Sequence, residues 1–198
     1  LGWNTIPYTG AGEFYSDYGN FDIRITAPES YVVLCSGELL NPAEVYTKAQ
    51  LARWEQAKLS DQTVSIRTAG EIGSIKATLP ARHRTWHYTI KNTRDAAWAA
   101  SPAFIITAAR INLPSGKKSM AISAYPVESD SANAWQRATE YVKASIEYAS
   151  KWFEYPYPAA INIASSVGGM EYPGIVFCGW ERKGQRLWNV TDHEQGHN

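Results

Sequence analysis

The sequence is poor in cysteine, methionine and histidine, and it has no excess of either charge. Its 198 residues contain 2 Cys, 2 Met and 4 His, against 19 Lys+Arg and 19 Asp+Glu. Two cysteines, Cys35 and Cys178, are too few for a disulfide-built scaffold; of the two readings open to them, pairing or two buried free thiols, the second is favoured. The balanced charge removes the electrostatic case for a nucleic-acid partner or an anionic membrane surface. No run is apolar enough to be a membrane-spanning segment. There is no visible signal peptide, no internal repeat and no low-complexity tract. The start at Leu1 and the end just past a catalytic-type motif read as a piece of a longer protein, whose compartment is not legible from the chain.

What is present is aromatic and strand-forming. Eight Trp and twelve Tyr suit β-sheet packing, with an aromatic-lined cleft as the other reading. Phe21, Ile23 and Ile25 alternate with Asp22, Arg24 and Thr26, the period of a half-buried strand. Segments 31–34, 63–68, 85–91, 104–111 and 120–127 continue the series, with Trp86, Tyr88 and Ile90 on one face. Thr47 can cap a short helix over 47–59. Turn-separated strands at this spacing predict a sandwich or barrel.

The character changes near Asp130. After the capping cluster Ser129-Asp130-Ser131, the residues Ala134, Ala138, Val142, Ile146, Ala149 and Phe153 recur at helical spacing. That predicts an amphipathic helix of about six turns, stopped by Tyr155-Pro156-Tyr157-Pro158. A strand over 160–164 and a helix starting near Thr191 follow. The expected class is α+β, with a β-rich unit over 1–128 and a second unit over 129–198.

Near the end lies His193-Glu194-Gln195-Gly196-His197, an H-E-x-x-H pattern. Residues four apart share a helix face, so both imidazoles can reach one zinc ion with Glu194 beside it. Zinc bound by three protein groups keeps an open position for water and lowers that water's pKa, and Glu194 would accept its proton as general base. With only four His in the chain, a chance match is rare. Asp192 suits the first turn of such a helix. His83 and His87 share one face of a strand but have no carboxylate motif beside them, and they read as structural. Upstream, Gly168-Gly169-Met170-Glu171 pairs two glycines, which allow close backbone approach, with a carboxylate suited to a substrate's free α-amine. Asn189-Val190-Thr191 fits a glycosylation sequon but reads as coincidence, because a glycan there would crowd the zinc helix.

The two motifs together resemble the aminopeptidase N and leukotriene hydrolase family of gluzincin zinc metallopeptidases. Gly168-Gly169-Met170-Glu171 matches that family's G-x-M-E segment, with Tyr172 standing where Asn is usual. The runs Gly168–Gly174 and His193–Asn198, with Gly12–Tyr15, Ser36–Leu39 and Ala97–Pro102, look like a bacterial branch. The resemblance implies a saddle-like β domain followed by the opening of a thermolysin-like catalytic domain. It also implies Zn2+ held by His193 and His197, Glu194 as base and Glu171 on the substrate amine, with Gly168, Gly169 and Met170 lining the cleft. The third zinc ligand and the oxyanion-stabilising residue would lie beyond Asn198, and the substrate would be a peptide with a free N-terminus. Two other readings stay open: a non-catalytic relative that acts as a binding module, and a zinc-dependent hydrolase of small molecules such as epoxides.

Overall fold

The computed structural model describes residues 16–73 and 82–198. The Gly12–Tyr15 run lies outside them. In chain order the elements are β1 (Gly19–Pro28), β2 (Val32–Cys35), β3 (Glu38–Leu39), α1 (Pro42–Val45), α2 (Lys48–Ala57), β4 (Val64–Arg67), β5 (His83–Thr93), β6 (Trp98–Ser101), β7 (Ile105–Asn112), β8 (Lys118–Tyr125), α3 (Ala138–Ala149), β9 (Ala159–Ser165), β10 (Gly169–Tyr172), β11 (Ile175–Gly179) and α4 (Gly184–Gly196). The α+β class is as expected.

The strands do not close into a barrel. They form a six-stranded sheet ordered β10-β11-β9-β8-β7-β4, a three-stranded sheet ordered β1-β5-β3, and a β2-β6 pair. In the large sheet, β8–β9 and β9–β11 are parallel and the other pairs antiparallel. A parallel step needs a crossover, which α3 supplies between β8 and β9. The division expected at residue 128 therefore falls between two strands of one sheet, and segments on either side of it share hydrogen bonds through the β8–β9 pairing.

Alternation sorts the sheet's two faces. Ile106, Ile122, Ile161, Ile163 and Ile175 pack with Val33, Leu34, Trp54 and Trp86 of the N-terminal elements. Ile105, Tyr125, Ala164, Val176 and Cys178 pack instead with Trp135, Tyr141 and Leu187 from the helical side. Burial on both faces explains why β7 and β9 read as near-continuous apolar runs. In β5, Trp86, Tyr88 and Ile90 are buried on one face, as their alternation requires. Thr47 caps α2 reciprocally: its hydroxyl accepts from the Gln50 N–H and its own N–H donates to Gln50 Oε1.

The long helix expected from Ala134 to Phe153 is a corrected reading. Only 12 residues, Ala138–Ala149, are α-helical. Ser129 does not cap it; its hydroxyl donates to the Trp180 carbonyl. Ala134 has φ −135° and ψ −129°, outside the helical region, and this lets Trp135 insert fully into the core against Tyr125. At the other end, Ser150 Oγ accepts the Tyr155 N–H, and the Tyr155 hydroxyl donates to Ala159 O, turning the chain into β9. Phe153 is consequently 88% exposed rather than part of an apolar stripe. The last helix also differs from expectation, starting at Gly184 instead of near Thr191. Cys35 and Cys178 are both buried and free.

Candidate metal centre and substrate cleft

Helix α4 lies against β10, β11 and α3. Leu187, Thr191, Glu194 and Gln195 are its buried residues, at spacings of four, three and one. Beneath them is a polar seam. Asn162 Nδ2 of β9 donates to Thr191 Oγ1 at 2.9 Å, and Gln195 Nε2 donates to the Ile161 carbonyl at 3.4 Å. The Ser145 hydroxyl of α3 donates to Asp192 at 2.7 Å. Asp192 thus ties two helices together; with α4 starting at Gly184, it is not in the first turn. Thr191 is fully buried inside the helix.

This anchoring presents His193 and His197 on the exposed face with Glu194 buried between them. The two imidazole rings meet edge to face, with centroids 4.9 Å apart, and their Nε2 atoms are 3.3 Å apart. Two nitrogens each about 2.0–2.1 Å from a tetrahedral zinc must lie about 3.3 Å from one another. The pair is therefore set at the separation that such an ion requires. One ligand-type atom from each of His193, Glu194 and His197 lies within 4.8 Å of the others. Two imidazoles fit zinc as ligands, and the Glu194 carboxylate beside them stands where it could reach a water on the metal.

Among the described residues, strand β10 is an edge of the large sheet and pairs only with β11. It brings Glu171 to the same site. Glu171 Oε1 lies 3.9 Å from His197 Nδ1. Burial pushes the Glu194 carboxyl above its ordinary pKa; the Glu171 carboxylate pushes it further, while the two histidines pull the other way. Burial takes the Cys178 thiol, opposite Gly169 across the hairpin, up to about 12; the Glu194 charge adds to this shift and the Arg182 charge opposes it.

The two glycines have different surroundings. A Cβ on Gly169 would collide with Glu194 Oε1 and lie 3.0 Å from its carboxyl carbon and 3.3 Å from Val190 Cγ2. On Gly168 it would meet only Arg182 Nη2, at 3.8 Å. The absent side chain at 169 thus makes room for the Glu194 carboxylate. Met170 lies between Gly169 and Glu171 on β10, half-buried. The motif residues read from the sequence lie on or at the ends of two adjoining elements, Gly168 to Glu171 at β10 and His193 to His197 at α4. His83 and His87 lie on β5, and His87 Nε2 is 2.9 Å from Asp22, a structural pairing.

One clamp was not legible in the sequence. Asn198 Oδ1 accepts the Gly174 N–H at 2.7 Å, tying the end of the zinc-motif helix to the turn between β10 and β11. Gly174 has φ +74°, and a Cβ there would sit 3.2 Å from Ala159 O. The adjoining Pro173-Gly174 was the available turn signal, but nothing local pointed to Asn198 as its partner.

The sequence matches no protein-family profile and no curated protein. Its fold is similar to solved structures. One is an M1 zinc metallopeptidase from Deinococcus radiodurans, with a TM-score of 0.56 and 15% identity, covering 92% of this chain and 34% of that one. Another is aminopeptidase A from Legionella pneumophila in complex with aspartic acid, with a TM-score of 0.58 and 14% identity, covering 91% of this chain and 19% of that one. A third is a two-domain M1 zinc metallopeptidase variant bound to L-arginine, with a TM-score of 0.54 and 14% identity, covering 90% and 34%. The chain spans about a third or less of the length of these structures, and at such identities the likeness is one of fold.

Proposed function

We propose that this chain carries part of the active site of a zinc-dependent aminopeptidase. The observation that carries the reading is the 3.3 Å separation of His193 and His197 Nε2, with a buried Glu194 carboxylate beside them and Glu171 facing the same site. Zinc held there would supply Lewis acidity, making a water acidic enough to lose a proton near neutral pH. His193 and His197 would hold the metal. Glu194 accepts the proton from the attacking water and passes it to the departing amine. Its raised pKa suits that traffic, because a base poised nearer neutrality also serves as an acid. Glu171 binds the free α-amine of the substrate, restricting attack to the first peptide bond. The backbone from Gly168 to Met170 lies along the substrate at the sheet edge. The described residues provide two imidazole ligands; the family resemblance implies a third, carboxylate ligand outside them.

The test is a zinc titration followed by a panel of aminoacyl anilides and their N-acetylated counterparts, using protein with the full ligand set. Zinc-dependent cleavage confined to free-amine substrates is the expected result. Zinc binding with no cleavage of any of them would favour a binding module, and cleavage of epoxides alone would favour the small-molecule hydrolase.

A further inference from the structure

The charged side chains near the cleft include one that the aminopeptidase reading leaves unused. Arg182 lies in the turn between β11 and α4, with its backbone N–H donating to Gly179 O. Its guanidinium reaches back to the start of β10, with Nη2 3.8 Å from the point where a Gly168 Cβ would be. Most of the arginine side chains are spent on the fold. Arg53 donates to Glu71, Arg84 to Glu29, Arg110 to Asp61, and Arg67 to two carbonyls. Among the described residues, the Arg182 guanidinium donates no hydrogen bond. Its Nε is shielded from solvent and lacks an acceptor; the nearest carboxylate, Glu181, stands 3.6 Å away and is more than half exposed.

The order of groups along the strand gives this cation a meaning. Arg182 lies against Gly168, in the bend just before β10, Glu194 lies against Gly169, and Glu171 extends from the strand two residues further on. A peptide with its amine at Glu171 and its first carbonyl at Glu194 must run antiparallel to β10, towards Gly168. Three residues of strand span about 10 Å, and an extended di- or tripeptide places its two ends about 7–10 Å apart. The terminal carboxylate of a short peptide then reaches a guanidinium with free donors.

We propose that Arg182 is a specificity-determining residue that binds the C-terminal carboxylate of short peptides, so that the site favours substrates ending one or two residues past the bond cut. The proposal rests on the aminopeptidase reading. Charge-assisted, forked pairing is the chemistry for which arginine is suited, and partial exposure limits the gain to about tenfold.

The test is calorimetric titration of the chain in metal-free buffer, so that no bond is cut. The probes are alanyl-alanyl-alanine, its C-terminal amide, its N-acetyl form, and alanyl-aspartyl amide. The acid should bind about tenfold more tightly than the amide, and Arg182→Gln should bring that ratio to about one while the free amine stays essential. Arg182→Lys should keep part of the preference, and Glu181→Gln, by removing the competing carboxylate, should increase it. An acid-to-amide ratio near one in the wild type, or one unchanged in Arg182→Gln, overturns the assignment and leaves the Glu171 amine anchor standing. If alanyl-aspartyl amide binds as tightly as the tripeptide acid, Arg182 reads side-chain carboxylates and the short-peptide preference is wrong. Equal binding of the N-acetyl form overturns the underlying aminopeptidase reading, and this proposal with it.

Discussion

Gly169→Ala separates a steric role from a catalytic one. The new Cβ would overlap Glu194 Oε1 and lie 3.0 Å from the carboxyl carbon, while its contact with Val190 Cγ2, at 3.3 Å, is only tight. No positive φ adds backbone strain at this position. The overlapping atom is the far end of a flexible side chain, so the protein can relieve the clash by turning Glu194 aside. An off-rotamer side chain costs about 0.5–1.5 kcal/mol, so stability should fall by about 1 kcal/mol. The functional effect is larger, because displacing a catalytic group by about 1 Å can cost about a hundredfold in rate. The two imidazoles lie outside the clash, and zinc affinity should change little. Gly168→Ala is the control, since its Cβ makes only an ordinary 3.8 Å contact. Urea unfolding, zinc titration and anilide hydrolysis by protein with the complete ligand set together decide the matter. If Gly169→Ala keeps more than a third of the wild-type rate, Glu194 does not act from the position described. Loss of zinc in step with the rate would mean that the glycine supports the metal site rather than the base.

Glu194→Gln should lower the rate by about 10²–10⁴-fold, the usual range for a general base, with zinc retained on elemental analysis; loss of the metal would make Glu194 a ligand. Glu171→Ala should raise KM for free-amine peptides while N-blocked peptides bind as before; an equal loss for both would remove its role as amine anchor. Asn198→Ala removes the acceptor of the Gly174 N–H and should cost about 1 kcal/mol, with faster amide exchange at Gly174; unchanged exchange would show that the clamp does not hold in solution. A last prediction concerns pH. Burial pushes the Glu71 carboxyl up, but Arg53 at 2.6 Å, together with the Thr68 N–H and hydroxyl, outweighs this and holds it below its ordinary 4.5. A lowered folded-state pKa contributes stability above pH 4.5 that is lost as pH falls through the folded value. Glu71→Gln should therefore be less stable than wild type at neutral pH, with the gap narrowing below pH 4.5; a constant gap on acid titration would refute the linkage.

Local patterns determined a good deal of this protein. The i,i+4 spacing of His193 and His197 places two imidazoles on one helix face wherever that helix packs. Strict alternation in 21–26 and 86–90 specified half-buried strands, because the side-chain period of a strand is two whatever its partners. The Thr47 cap acts through a residue only three positions away. Tertiary structure decided what depends on distant partners. The helical spacing around Ala134 lost to the burial of Trp135 against Tyr125, an aromatic contact that costs a turn of helix. The opening of α4, Gly184 to Asn189, has only the adjacent Leu187 and Trp188 as apolar residues, too few to show a helical period, so its start was set by docking on β11 and α3. The change from strand to helix patterning near Asp130 suggested a boundary at 128; only the structure shows that β8 and β9, on either side of it, pair in parallel. The same holds for the site. Each motif was readable separately, but the approach of Glu171 to His197, the space at Gly169 that Glu194 fills, the Asn198–Gly174 clamp and the unspent guanidinium of Arg182 exist only once β10 and α4 are packed side by side.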